Sequence, residues 1–309
     1  MSGILLQGLE APFPSDEIVL TQGTFDGVHL GHQQVLKSVV NRAQNTGRKS
    51  VLLTFYPHPR QVVKQNDAEV QILNNLEEKS RRIFAQGIDY IWVLPFDESI
   101  AELSPEAYIE NILMAHWNIK EMVVGYDHRF GKNREGGLAE LAELGNRLGF
   151  VVSQIPASEI QAIAISSSRI RTALSEGRME EANNLLGEPY SLSGIVIKGL
   201  QLGRKLGFPT ANIELNETHK LIPPYGVYCG YCQYQEKRWK LVMNMGIRPT
   251  IEGRGLSVEA HLLDFDGDLY GQHLEFHITQ YVRPEKRFEN LEALAEQIAQ
   301  DVAHCRRLD

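Results

Sequence analysis

The sequence predicts an α/β domain built on a parallel sheet, followed by a mainly β domain that ends in one helix. Three observations carry this reading. The first half alternates short aliphatic runs with amphipathic segments, the βαβα rhythm of a sheet covered by helices. After Gly187 the runs become strand-like and turn-rich loops separate them, which points to an antiparallel barrel or sandwich. The last segment returns to helical periodicity. At 309 residues the chain has room for about two domains.

Taken in order, Ile18–Thr21 is an apolar strand, followed by a glycine-containing turn and a helix to about Gln44. Ser50–Phe55 is the next strand. Asn75, with Glu78 three residues later and Gly87 beyond, punctuates a helix at both ends, in the capping-box pattern. Tyr90–Leu94 is a strand, and Ser104-Pro105 opens a helix with cap and proline in their preferred order. Glu121–Val124 and Val151–Ile155 are strands on either side of a helix, Leu138–Leu148, stopped by Gly149. Two short helices end at Gly177 and Gly187. The second half offers strands at Ser191–Ile197, Gly226–Gln235, Arg238–Met245, Ser257–Phe265 and Leu274–Val282. Leu291, Leu294, Ile298, Val302 and Cys305 then recur at helical spacing, a stripe expected to pack on the barrel. The domain boundary falls near Asn183–Tyr190.

Composition excludes several classes. Hydrophobic residues at 43% and charged residues at 23% are ordinary for a folded globular chain. No window approaches the ~18 apolar residues of a membrane span, and the N-terminus lacks the pattern of a secretory signal. Acidic residues outnumber basic ones 39 to 31, a net charge of −8, which disfavours nucleic acid and anionic membranes as partners. Three cysteines predict a reducing, cytoplasmic setting and no disulfide framework. Cys229 and Cys232 form a C-x-x-C on a predicted strand, where residues three apart face opposite ways; they read as strand residues rather than a metal clasp. Oligomeric state is not encoded in any feature of the sequence.

Two constellations carry chemistry. In Gly23-Thr-Phe-Asp-Gly-Val-His-Leu-Gly-His32, glycines allow close backbone approach, and the helix that follows presents unpaired N–H groups to an anion. His29 and His32 can share a face and supply donors for charge developing on phosphorus. A metal pair, though no third ligand stands out, and plain structural histidines are the other readings; the G-x-G-x-x-G dinucleotide spacing is absent. Ile165-Ser-Ser-Ser-Arg-Ile-Arg171 makes a second anion site or a capped helix with solvated arginines. Val123–Gly131 runs from a strand into a polar turn, the position where a base or ribose is commonly read.

The second constellation is Gly199-Leu-Gln-Leu-Gly-Arg-Lys-Leu-Gly-Phe-Pro-Thr-Ala-Asn212. It lacks the G-K-[ST] of a Walker loop, yet a glycine-rich loop can wrap a polyphosphate. Thr210 and Asn212 point the same way on an extended segment, and two neutral oxygens suit Mg²⁺. An irregular barrel connection is the plainer reading. Along Ser257–Phe265, Glu259 and His261 face one way. A kinase acting on an alcohol needs a base near the hydroxyl, but spacing alone does not select Glu259.

These segments resemble known families. Gly23–His32 is similar to the H-x-G-H motif of nucleotidyltransferases in its FMN adenylyltransferase form. Ile165–Arg171 resembles that family's ISSTxIR motif, with Ser168 in place of threonine, and Tyr56-Pro-His-Pro59 and Leu94-Pro-Phe96 also resemble segments of that family. The glycine-rich loop with Pro-Thr-Ala-Asn212, together with Pro224–Tyr228, Asn244–Thr250 and Val-Glu-Ala-His261, resembles the riboflavin kinases in order and spacing. Nearly the whole chain resembles the bacterial bifunctional riboflavin kinase/FAD synthetase family. His128 stands where phenylalanine is common, and Lys198 where histidine is common.

The resemblance implies a Rossmann-like nucleotidyltransferase domain at 1–186 and an antiparallel β-barrel riboflavin kinase domain at 187–309 with a C-terminal helix. It implies that ATP and Mg²⁺ convert riboflavin to FMN, and that a second ATP converts FMN to FAD and pyrophosphate. His29 and His32 would stabilise the transition state of adenylyl transfer, with ATP held by Gly23, Phe25, Asp127, Ser167, Ser168 and Arg171. In the kinase, Gly203, Arg204, Gly207, Thr210 and Asn212 would hold ATP, Thr210 and Asn212 would coordinate Mg²⁺, and Glu259 would activate the ribityl hydroxyl. Retention of only one activity, or a non-catalytic flavin binder, are the alternatives.

Overall fold

The computed structural model describes residues 3–62, 70–125, 129–132, 135–155, 165–199, 201–215, 217–250 and 253–308. Two compact units emerge, Met1–Ser167 and Ser168–Asp309.

The first unit contains β1 (Ile4–Gln7), β2 (Glu17–Gln22), α1 (Leu30–Asn45), β3 (Lys49–Tyr56), α2 (Pro59–Val62), α3 (Leu76–Ala85), β4 (Tyr90–Pro95), α4 (Glu98–Ala101), α5 (Pro105–Tyr108), β5 (Asn118–Val124), α6 (Leu138–Leu148) and β6 (Val151–Gln154). Its six strands form one sheet in the order β1-β4-β3-β2-β5-β6, and all pairs are parallel. The continuous apolar runs of the central strands follow from helices covering both faces. Alternation along β3 shows it: Val51 and Leu53 enter one core with Leu20, Trp92 and Leu141, while Leu52 enters the other with Val19, Leu36 and Ile83. Asn75 and Glu78 form the expected capping box on α3. Ser104 caps α5, which runs on into a π-helical segment, Ile109–Met114.

Ser167, the last residue of the first unit, opens α7 (Ser167–Ser175); the second unit contains the rest of α7, α8 (Met179–Leu186), β7 (Tyr190–Ile197), α9 (Leu202–Lys205), β8 (Ala211–Leu215), β9 (Gly226–Tyr234), β10 (Lys237–Thr250), β11 (Gly253–Leu262), β12 (His273–Pro284) and α10 (Leu291–Arg307). Six antiparallel strands close a barrel in the order β10-β11-β8-β7-β12-β9, settling barrel over sandwich. Closure needs β8, a strand absent from the sequence reading, because Pro-Thr-Ala-Asn212 looked like a connection. Asn183 of α8 donates to the Ile278 carbonyl at 2.9 Å and accepts from the Tyr190 amide at 2.8 Å, so this helix is tied to the barrel's first and last strands.

The C-terminal helix lies on the outside of β9 and β10. Cys305 joins Val227, Cys229, Val242 and Leu263 in a buried cluster, whereas Leu291 at the other end of the stripe stays 52% exposed. Cys229 and Cys305 form a disulfide, with Cα atoms 5.3 Å apart. This overturns the expectation of no disulfide: the bond joins positions 76 residues apart, a pairing made by docking α10 and invisible in local spacing. Cys232, on the opposite face of β9, is a buried free thiol, its pKa pushed up to about 12 by burial.

Candidate functional site

In the parallel sheet the order reverses beside β2: β3 and β4 lie on one side, β5 and β6 on the other. Ligands in such sheets bind outside the carboxyl ends of the strands at this switch point. The Gly23–His32 turn leaves the end of β2 there. Gly23 donates to the Leu53 carbonyl at 3.0 Å, and a Cβ at this position would sit 3.1 Å from the Phe25 ring. Phe25 and Val28 hold left-handed backbone, φ 46° and 42°, conformations that cost of order 1–3 kcal/mol each. The chain can then enter α1 with His29 as N-cap.

His29 replaces the usual hydroxyl or carboxylate cap with an imidazole. Its Nδ1 accepts from the His32 amide at 3.3 Å, which assigns the ring proton to Nε2. The two rings stack, with centroids 3.6 Å apart and planes 14° apart, and Phe25 closes on His32 at 4.7 Å. His32 Nδ1 is a buried atom with no hydrogen-bond partner among the described residues. Burial, then the neighbouring His29 and Lys79, hold the His32 pKa well below its ordinary value. The site therefore presents two stacked imidazoles at the start of a helix, able to donate to an anion.

Two buried charged residues that the sequence reading missed brace this turn. The Asp26 carboxylate accepts from the amides of Leu73 (2.9 and 3.1 Å) and Asn74 (3.2 Å). Lys79, on α3, donates to Thr54 Oγ1 at 3.0 Å and to the Thr24 carbonyl at 3.3 Å. One signal existed: Lys79 occupies the apolar face of α3 between Leu76 and Ile83, where a charge is out of place.

Of the other candidates, Ser167 is brought to this turn, its hydroxyl donating to the Asp26 carbonyl at 2.9 Å. Ser168 and Arg171 follow on α7, three apart on the helix. Arg169 instead pairs with Glu181 at 2.9 and 2.8 Å. Asp127 and His128 lie outside the described residues. Past the end of β5, a cleft of about 440 Å³ is lined by Gly125, Arg129, Glu135 and Gly137–Glu140.

In the barrel, β8 pairs with β11 so that Asn212 stands opposite Glu259. The Thr210 hydroxyl donates to Glu259 Oε2 at 3.3 Å, and Ser257 Oγ donates to Oε1 at 3.1 Å. Thr210, Asn212 and Glu259 are thus brought together, and closure of the barrel by β8 is what does it. Asn212 is buried, and any Cβ on Gly199 would fall 2.5 Å from its Nδ2, so the glycine makes room for that amide. Gly203 and Arg204 lie on α9, and Gly207 follows with φ 85°. A Cβ on Gly203 would come within 2.3 Å of the Phe208 carbonyl. Lys198 lies 5.9 Å from the Tyr270 ring centroid. Hard oxygen donors, mostly neutral, fit Mg²⁺, which keeps water and phosphate in its shell. Among the described residues no group of three or more His, Cys, Asp and Glu could hold a metal by itself.

Comparison with known proteins gives two domain matches. The family model described as FAD synthetase covers residues 13–169, and that described as riboflavin kinase covers residues 186–308. A protein of Listeria monocytogenes is 38% identical over 95% of this chain and 94% of its own length. Relatives in Escherichia coli K12 (36%, over 93% and 91%) and Bacillus subtilis (35%, over 92% and 90%) are similarly matched. All three are named bifunctional riboflavin kinase/FMN adenylyltransferase. A solved structure titled as a macrolide-efflux protein from Streptococcus pneumoniae superposes with a TM-score of 0.88 at 26% identity, covering 99% of this chain and all of that one. Among the described residues here, no helix is long and apolar enough to cross a membrane.

Proposed function

The chain belongs to the family of bifunctional riboflavin kinase/FMN adenylyltransferases, and on that premise we propose how its residues divide two ATP-dependent steps. The enzyme phosphorylates riboflavin to FMN, then adenylylates FMN to FAD with release of pyrophosphate. We assign adenylyl transfer to residues 1–186 and the kinase to residues 187–309, in a cytoplasmic setting where ATP is at hand.

The observation that carries the division is a difference in chemistry between the two sites. Beside Thr210 and Asn212 the barrel holds a carboxylate, Glu259. At its helix start the sheet unit holds stacked imidazoles. Riboflavin's 5′-hydroxyl is a neutral alcohol. Glu259 takes its proton as the oxygen attacks the γ-phosphorus of ATP and ADP leaves. Thr210 and Asn212 would hold Mg²⁺, which when bound neutralises the phosphate charge. The loop carrying Gly203, Arg204 and Gly207 holds the polyphosphate. FMN is already an anion and needs no strong base. One of its phosphate oxygens attacks the α-phosphorus of ATP, and the bond to pyrophosphate breaks. His29 and His32 donate to the charge developing there, while Gly23, Phe25, Ser167, Ser168, Arg171 and Asp127 orient the nucleotide.

The test uses two variants of the full chain. Glu259→Ala abolishes FMN formation and leaves FMN-to-FAD conversion; His29→Ala does the reverse. Loss of both reactions in either folded variant overturns the two-site assignment.

A further inference from the structure

We propose that Lys79 is a positioning residue for adenylyl transfer, its buried ammonium pinning the turn that carries His29 and His32 and setting a positive charge behind His32. The inference rests on the assignment of that turn to the transferase site. Lys79 is 6% exposed on a helix face where Leu76 and Ile83 are aliphatic. Methionine would fill the same space without the cost of burying a charge. Only the ammonium supplies hydrogen bonds and charge, and both are directed at the site.

Its three donors meet three acceptors: Thr54 Oγ1 at 3.0 Å, the Thr24 carbonyl at 3.3 Å and the Phe55 carbonyl at 3.5 Å. Thr54 Oγ1 donates in turn to the same Thr24 carbonyl at 3.2 Å. Thr24 is thus gripped twice, immediately before Phe25 takes its left-handed backbone and lays its ring against His32. The path from Lys79 to His32 runs through one carbonyl and one strained residue. Misplacement of a reacting group by about 1 Å can cost about 10²-fold in rate.

The same placement has an electrostatic consequence. Burial first, then His29 from its own helix cap and Lys79 from α3, hold the His32 pKa down. Asp26, in the turn, acts on Lys79 and favours its ammonium; burial prevails and lowers the Lys79 pKa to about 8. At neutral pH Lys79 is therefore still mostly charged, and that charge favours the neutral form of His32.

The experiment compares Lys79→Met, Lys79→Arg and His32→Ala in the full chain. It reads FMN adenylylation, riboflavin phosphorylation, and the His32 imidazole titration by NMR without ligand. For Lys79→Met we expect adenylylation lowered about 10²-fold, phosphorylation unchanged, and the His32 midpoint moved upward. Lys79→Arg, which keeps the charge, returns the midpoint toward wild type and recovers part of the rate. Wild-type adenylylation in Lys79→Met, or a lost rate with the His32 titration unmoved, overturns the inference. If Lys79→Met loses both activities, Lys79→Arg decides: an unmoved midpoint with adenylylation retained supports the inference, and loss of both overturns it. A His32→Ala variant that still makes FAD overturns the site reading itself; one that cannot, beside an unaffected Lys79→Met, overturns only the role of Lys79.

Discussion

Replacing Asp26 by alanine removes the acceptor of two buried amides, and the structure sets the size of the effect. Leu73 N donates to both carboxylate oxygens, at 2.9 and 3.1 Å, and Asn74 N donates to one at 3.2 Å. Asp26 is 3% exposed and Leu73 fully buried, so bulk solvent does not reach these amides. An unsatisfied buried donor costs about 1–3 kcal/mol. Two of them put Asp26→Ala at about 2–6 kcal/mol of first-unit stability. Asp26→Asn keeps an acceptor and loses only the charge, so it falls between wild type and alanine. Trp92 and Trp117 are both buried in the first unit, and their fluorescence through a denaturant titration, in a Trp239→Phe background, reads that unit. Amide hydrogen exchange at 73 and 74 reads the two bonds directly. A loss under about 0.5 kcal/mol, with protection at both amides unchanged, refutes the reasoning.

Further outcomes follow from other groups. Glu259→Gln lowers riboflavin phosphorylation by about 10²–10⁴-fold and leaves FMN adenylylation intact, as checked by chromatography of flavins from the same preparation. Reducing the Cys229–Cys305 bond, which closes a separation of 76 residues, lowers second-unit stability by about 2–4 kcal/mol, read by Trp239 fluorescence with and without a thiol reductant. Folding lowers the Lys79 pKa from 10.5 to about 8. Between those values the unfolded chain holds a proton that the folded chain lacks, so stability rises with pH there. Wild type accordingly gains stability relative to Lys79→Met from about pH 8 to pH 10.5, measured by denaturant titrations at several pH values.

Local signals made much of this legible. Apolar runs, caps and stop glycines located α1, α3, α6 and the central strands, because those features act within a few residues. The His29–His32 turn and the Thr210–Asn212 pair stood out because phosphate chemistry needs particular residues at short spacing. What stayed hidden depends on distant partners. β1 is four residues without alternation, and only its parallel register with β4 makes it a strand. β8 reads as a loop until β7 and β11 pair with it. Asp26 looked like a turn residue, and its partners Leu73 and Asn74 lie 47 and 48 positions away. Cys305 looked like the end of an apolar stripe, and its sulfur is bonded to a strand of the barrel.

The most direct test of two successive activities in one chain is a time course of the purified protein with riboflavin, ATP and Mg²⁺, its flavins separated by chromatography. FMN should rise first and FAD follow at its expense. FMN that accumulates without FAD, even when FMN itself is supplied, contradicts two activities in one chain.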